Sequence, residues 1–351
     1  MNQEIDQPLE PQAQQSPGPQ RWWLHAILFI LTFFTATVAG VGWVIQDPFE
    51  LTNLGFGLSY AVALLFVLTC HEFGHYFAAR FHHVETSLPY YIPFPPIPLF
   101  VLYQPFGTLG AVIRTREVPP SKKAMFDIGV AGPIAGFVAS IFVLFIGFST
   151  LPSVREGVSY IQSLQGHESF VYPALSDGAF SFGQNALYWL FEKAIPNSQS
   201  TFIPPMSEMY HFPFLCVGWF GLFITAMNLI PIGQFDGGHL IYTMFGDHHR
   251  RIARFAFFSL VAISLPAVAD FIARSFIYFK DHEQIGQVIP LAQYSWFGWF
   301  LWAMIANSVV KLYHPPVPDE TPLDGQRMAV GWACIVIFVL CFSLVPFGGG
   351  I

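Results

Sequence analysis

The sequence predicts an all-α polytopic membrane protein of about seven transmembrane helices with a small membrane-associated β element. Three observations lead there. Of its 351 residues, 54% are hydrophobic and only 11% charged, against roughly a quarter charged in a soluble domain. Apolar runs near 20 residues recur along the chain, and one further apolar segment carries too many prolines to be a helix. Aromatic residues at 17%, with 39 Phe, suit surfaces that face lipid and span ends that sit at the interface. The net charge of -7 is thinly spread and forms no basic stripe. The expected surroundings are therefore a lipid bilayer, and nucleic acid is not an expected partner.

The elements follow in order. Residues 1–21 are Gln/Pro-rich and acidic, unlike the basic start of a cleavable signal peptide, and read as a disordered tail before a membrane-embedded domain over 22–351. Runs at about 22–45, 55–80, 124–149, 213–230, 252–279, 294–312 and 328–347 are each long enough to cross roughly 30 Å of hydrocarbon at 1.5 Å per residue. With the N-terminus inside, eleven of the 15 Lys and Arg collect on the inner side, as the positive-inside bias requires. Between the second and third runs, 87–113 holds Pro89, Pro93, Pro95, Pro96, Pro98 and Pro105. It reads as a re-entrant strand or loop packed on the bundle, with 107–114 as the strand. The interhelical loop 150–212, expected on the outer side, is too short for an independent domain. Within it Leu187, Leu190, Phe191, Ala194 and Ile195 repeat at helical spacing and predict an interfacial helix. Cys70, Cys216, Cys334 and Cys341 sit in apolar runs without paired spacing, so they read as packing residues.

The chemistry lies at the end of the second run, in His71-Glu72-Phe73-Gly74-His75. Two histidines four residues apart share one helical face and can hold one metal, with Glu72 beside it as a general base. Imidazole suits zinc, and a catalytic zinc takes three protein ligands. The fourth run ends in Asn228-Leu229-Ile230-Pro231-Ile232-Gly233-Gln234-Phe235-Asp236-Gly237-Gly238-His239. Pro231 and the glycines break the helix there and offer Asp236 as the third ligand, on bent backbone. Depth supports the pairing, because His71 lies about 16 residues into its span and Asp236 about 23 into its own, both entering from outside. Polar residues at such depth face a cavity and serve function. His239 is an alternative ligand, though a role beside the metal is the expected one.

With both motifs in place, the sequence resembles the site-2 protease family of intramembrane zinc metalloproteases, whose pattern is HExxH on one span and Asn-x-x-Pro-x-x-x-x-Asp-Gly on a later one. The resemblance covers roughly 55–245, including Gly132-Pro133-Ile134-Ala135-Gly136. It implies one Zn2+ per chain on His71, His75 and Asp236, water activation by Glu72, and oxyanion stabilisation by Asn228. It also implies an endopeptidase that takes transmembrane protein substrates and holds them by strand addition near 107–114. Family members often carry a PDZ or CBS module, and no segment here is large enough for either.

The expected setting is a bacterial cytoplasmic membrane, with the N-terminus and the site toward the cytoplasm. The rival reading is a metal transporter or sensor using His71, His75, Asp236 and His239 as a transit site. Glu72 discriminates, since transit has little need of a carboxylate that is not a ligand. Three further features read as structural. The small residues Gly129, Ala131, Gly132, Ala135 and Gly136 read as helix packing, Asp127 as a complement to a helix N-terminus, and Asp270 with Arg274 as an i, i+4 pair. The pairs His82-His83 and His248-His249 read as solvated loop residues, without a function.

Overall fold

The first membrane-length helix, α1 (Trp22–Trp43), packs along α2 (Leu54–Phe81). In this computed structural model the described residues are 21–95, 106–164, 180–194, 200–282 and 286–348. Residues 1–20 of the expected tail lie outside them, as do Pro96, Pro98, Pro105 and Ile195. The α1–α2 approach is close because Gly57 stands where a side chain would not fit: an added Cβ would lie 2.0 Å from the Thr37 carbonyl.

The strand expected over 107–114 is present as β2 (Thr108–Val112). It pairs antiparallel with β1 (Tyr90–Pro93), aligning Tyr90 with Val112 and Tyr91 with Ala111. A register shift follows before Pro93, where a residue without an N–H is tolerated. The hairpin is tied to the helices through side chains. His25 Nδ1 bonds the Pro89 carbonyl, Thr35 donates to Gly107, Tyr60 donates to Phe106, and the hydroxyls of Thr69 and Tyr91 meet at 2.7 Å.

Ser121 caps α3 (Lys122–Ser149) by accepting from the Ala124 N–H. The connection after α3 carries α4 (Val154–Ser163), closed by a Ser153/Glu156 capping box, then β3 (Ser181–Phe182) and α5 (Ala186–Ala194). The helix α5 matches the expected interfacial one. Leu187 and Phe191 pack on the core as the spacing predicts, whereas Leu190, expected on the same face, is exposed. Tyr188 is its buried anchor.

Pro213 opens α6 (Pro213–Asn228), which is followed by α7 (Asp236–Phe245) and α8 (His249–Asp281). Then come α9 (Gly298–Ile305), a π turn over Ala306–Val310, α10 (Gly325–Cys341) and β4 (Phe347–Gly348), which pairs with β3. The packed centre is α2, α3 and α6, filled by Tyr60, Leu64, Leu144, Trp219 and Phe220. The four cysteines are free, and three of them are buried.

Among the described residues, four helical stretches are long and apolar enough to cross a membrane: Trp22–Trp43, Leu51–Phe81, Lys122–Ser149 and Asp236–Lys280. The other expected spans correspond to the shorter apolar helices Pro213–Asn228, Gly298–Val310 and Gly325–Cys341. The fifth expected run, 252–279, lies inside a helical stretch that starts earlier, at Asp236.

One charged residue differs from the sequence reading. Asp127 does not serve the α3 N-terminus. It accepts from Arg327 Nε and Nη2 at 2.8 and 2.7 Å and meets His82 Nε2 at 2.8 Å, joining the ends of α2 and α10 to α3. His82 is thus not a solvated loop residue. Asp270 pairs with Arg274 at 4.0 Å, as the i, i+4 spacing predicts, and also accepts the Val288 and Ile289 N–H groups at 2.7 Å each, which caps a turn.

Candidate active site

His71 and His75 are buried on the α2 face toward α3, and Glu72 is buried beside them. The four-residue spacing brings the two imidazoles to 4.8 Å between ring centroids. His75 Nδ1 lies 2.7 Å from the Ile128 carbonyl of α3. A carbonyl can only accept, so that nitrogen carries the proton and His75 Nε2 presents a lone pair.

Room for these rings comes from glycine. A Cβ at Gly132 would stand 2.0 Å from His75 Nε2, one at Gly136 3.0 Å from His71 Nδ1, and one at Gly129 2.9 Å from the Cβ of His239. The expectation that these small residues serve helix packing is therefore incomplete. Gly129, Gly132 and Gly136 recur at helical spacing and form a groove that houses the histidines. The residue pattern is visible in the sequence, but its purpose appears only once α3 is known to face the HExxH side of α2.

The fold brings Asp236, the candidate third ligand, beside the two histidines. After Asn228 the chain turns through Pro231 and Gly233, whose φ of +57° is left-handed, and α7 begins at Asp236 itself. The turn is tight: a Cβ at Gly237 or Gly238 would lie 2.1 Å from the carbonyls of Leu229 or Gly233. Asp236 Oδ2 stands 3.5 Å from His71 Nε2 and 3.3 Å from His75 Nε2, and the two nitrogens are 3.1 Å apart. A tetrahedral zinc with ligands at about 2.0–2.1 Å separates its ligand atoms by about 3.3 Å. The triangle fits that spacing, and two imidazoles with one carboxylate are a catalytic zinc donor set.

Around the triangle lies a cavity of about 300 Å³, lined by the three ligands and by Glu72, Asn228, His239, Ala111, Val112 and Ile113 among others. Glu72 is no part of the triangle. Asn228 Nδ2 lies 3.2 Å from His71 Nε2, which puts an amide donor next to the ligand atoms. The strand β2 supplies one wall. The Ser87 N–H donates to the Arg114 carbonyl and the Arg116 N–H to Glu85, so alternation turns the main-chain groups of Ala111 and Ile113 away from β1 and toward the cavity. The Ile113 backbone faces the Glu72 carboxylate.

His239 lines the cavity without joining the three-ligand group. Its partner is His314, whose Nε2 is 2.6 Å from His239 Nδ1. The sequence reading missed His314; a lone histidine 75 residues away, before two prolines, carries no local signal.

Residues 59–265 match the model of Peptidase family M50, an interval that contains His71, Glu72, His75, Asn228 and Asp236. Among relatives, the chain is 30% identical over 254 residues to the probable zinc metalloprotease EGY1, chloroplastic, of Oryza sativa subsp. japonica, covering 66% of this chain and 39% of the relative. It is 25% identical over 293 residues to the probable zinc metalloprotease EGY2, chloroplastic, of Oryza sativa subsp. indica, covering 82% and 47%. It is 26% identical over 357 residues to the probable zinc metalloprotease EGY1, chloroplastic, of Arabidopsis thaliana, covering 94% and 54%. The chain thus spans about half the length, or less, of the curated relatives it matches. No solved structure matches it. The matched interval covers more than half of the chain and contains the complete ligand triangle with its neighbouring carboxylate, and the protein belongs to peptidase family M50.

Proposed function

We propose that the protein is an intramembrane zinc endopeptidase that hydrolyses peptide bonds within or near the transmembrane segments of membrane-protein substrates. One observation carries this reading: three ligand atoms converge at 3.1–3.5 Å beside a carboxylate that is not a ligand, in one cavity. A transit site for metal has little use for that carboxylate. When bound, zinc polarises a carbonyl and makes water acidic enough to lose a proton near neutrality. His71, His75 and Asp236 hold it. The Glu72 carboxylate takes the proton from the attacking water and passes it to the departing amide nitrogen, so the proton count balances across the cleavage. The Asn228 amide donates to the oxygen that becomes negative at the attacked carbon.

A transmembrane helix keeps its carbonyls engaged internally, so the substrate is extended where it is cut. The cavity-facing edge of β2 offers main-chain groups to such a strand. In this reading the shorter apolar helices complete about seven crossings. The site faces the cytoplasmic side of a bacterial membrane, a placement that fractionation and tag accessibility test; the named relatives are chloroplastic.

The test uses full-length protein in detergent with a cleavable membrane substrate. Glu72→Gln is expected to keep about one zinc per chain and to lose at least roughly 10²-fold in cleavage rate, while Asp236→Ala loses the zinc. Full cleavage by Glu72→Gln would remove the base assignment. Metal flux into sealed vesicles that depends on His71 and His75, without cleavage, would establish the transporter instead.

A further inference from the structure

The segment between the π turn and α10 is strapped across the site. Gly233 N–H donates to the Leu312 carbonyl, Lys122 N–H to Asp319 O, Asp319 N–H to Pro120 O, and the Tyr242 hydroxyl to Glu320 while accepting from the Val317 N–H. These bonds fasten residues 312–320 to the turn before Asp236, to the start of α3 and to α7. They also seat His314 against the Tyr242 ring, at 4.4 Å and 11°. All of this strap lies beyond the interval matched by the family model.

The hydrogen bonds along the strap fix a proton arrangement. His314 Nδ1 is 2.5 Å from the Pro315 carbonyl, which can only accept, so His314 carries its proton on Nδ1. Burial holds the His314 imidazole below its usual range, so the ring is neutral and its Nε2 is an acceptor. The proton in the 2.6 Å contact therefore belongs to His239 Nδ1. In a neutral imidazole this leaves a lone pair on His239 Nε2. Among the described residues no hydrogen bond engages that nitrogen, and His239 lines the cavity beside Asp236. An extended peptide entering the cavity brings N–H groups that lose water on entry and need acceptors. Asn228 offers a donor; His239 Nε2 is the matching acceptor.

We infer that His314 is a positioning residue that holds His239 in its Nδ1–H tautomer, and that His239 Nε2 accepts a backbone N–H of the bound peptide next to the bond to be cut. The substrate part rests on the peptidase reading above; the tautomer part does not.

Two variants test it in the full-length protein. His314→Phe keeps the stacking on Tyr242 but removes the acceptor. His314→Gln restores an acceptor oxygen. The expected result is that His314→Phe holds zinc as the wild type does, loses about ten- to a hundredfold in cleavage, and is rescued by His314→Gln to within about threefold. Nitrogen-15 spectra of the imidazoles should show His239 protonated on Nδ1 in the wild type and in His314→Gln, and largely on Nε2 in His314→Phe.

A purely structural strap would lower the melting temperature in both variants and leave the His239 tautomer unchanged, and that pattern would overturn the proposal. So would unchanged cleavage by His314→Phe, or a loss of zinc that matches the loss of cleavage. The spectra need no substrate, so absence of cleavage by the wild type would sink the peptidase reading and the acceptor role while the tautomer result still decides the function of His314.

Discussion

The groove on α3 makes a quantitative prediction. Gly132→Ala adds one methyl group 2.0 Å from His75 Nε2, 2.3 Å from its Cδ2 and 2.5 Å from its Cε1. An ordinary contact needs about 3.4 Å or more, so the imidazole must retreat by roughly 1.4 Å. Metal–ligand distances tolerate only about 0.2 Å, and retreat also breaks the 2.7 Å bond to the Ile128 carbonyl. The same substitution removes backbone freedom inside a helix, worth about 0.5–1 kcal/mol in favour of alanine. Gly132→Ala should therefore fold but lose its zinc and all metal-dependent cleavage, melting near the zinc-free wild type rather than near the zinc-loaded one. Gly136→Ala is the graded control. Its methyl would meet His71 at 3.0–3.1 Å, a few tenths of an ångström too close, so zinc affinity should fall without vanishing. The assay is metal content of purified protein by mass spectrometry, with thermal melting beside it. A Gly132→Ala protein that retains one zinc per chain would refute the groove, and with it the placement of His75 against α3.

The edge of β2 separates two roles. Ala111→Pro removes a main-chain donor offered to substrate and should raise KM, whereas Ile113→Pro removes the N–H that faces Glu72 and should lower kcat; a shift in the same parameter for both would defeat the division. Neither proline should unpair the hairpin, because both N–H groups point away from β1. The strap should loosen in acid. Glu320 lies below the usual carboxylate range because the Tyr242 hydroxyl and the Lys122 ammonium both donate to it. A carboxylate depressed in the fold stabilises above its unfolded value, about 4.3, and the contribution fades as pH falls through the folded value. Exchange protection across 312–320, taken relative to the intrinsic amide rate at each pH, should thus be constant between about pH 7 and 5 and fall only below about pH 4. A fall near pH 6 would implicate another group.

Much of the site was legible because its chemistry is local or is a pattern of breaks. Four-residue spacing delivers His71 and His75, and Pro231 with Gly233 announces the turn that presents Asp236. The strand β2 was legible by exclusion, from prolines that no helix accepts, whereas its pairing with β1 was not. Three further things were not. The purpose of Gly129, Gly132 and Gly136 depends on which face of α2 meets α3, and packing sets that. His314 reaches His239 through strap contacts that depend on Ser121, Lys122 and Tyr242, all remote in sequence. Asp127 looks like a helix-start charge until Arg327, 200 residues on, folds back to it. The span count was the least secure reading, since hydropathy marks apolar runs but not where a helix stops; the run expected over 213–230 ends as a helix at Asn228 so that the ligand turn can form.

Charge balance explains why this cluster can stay buried. Asp236 and Glu72 are two carboxylates in one cavity, Glu72 only 6% exposed, and two like charges there are expensive in a medium of low dielectric. Two neutral imidazoles do nothing to offset them. A single dication held by His71, His75 and Asp236 would cancel both carboxylates and leave the set formally neutral, and the metal would then support the packing of α2, α3 and α7 as well as the chemistry. Chelation should accordingly do more than stop cleavage. Exchange protection should drop around 71–75, 128–136 and 236–239, while the contacts of α5 and the β3–β4 pair stay protected. Uniform loss across the chain would make the metal a global folding requirement, and no change at all would show that the cluster balances its charge without one, by protonation of a carboxylate or a histidine.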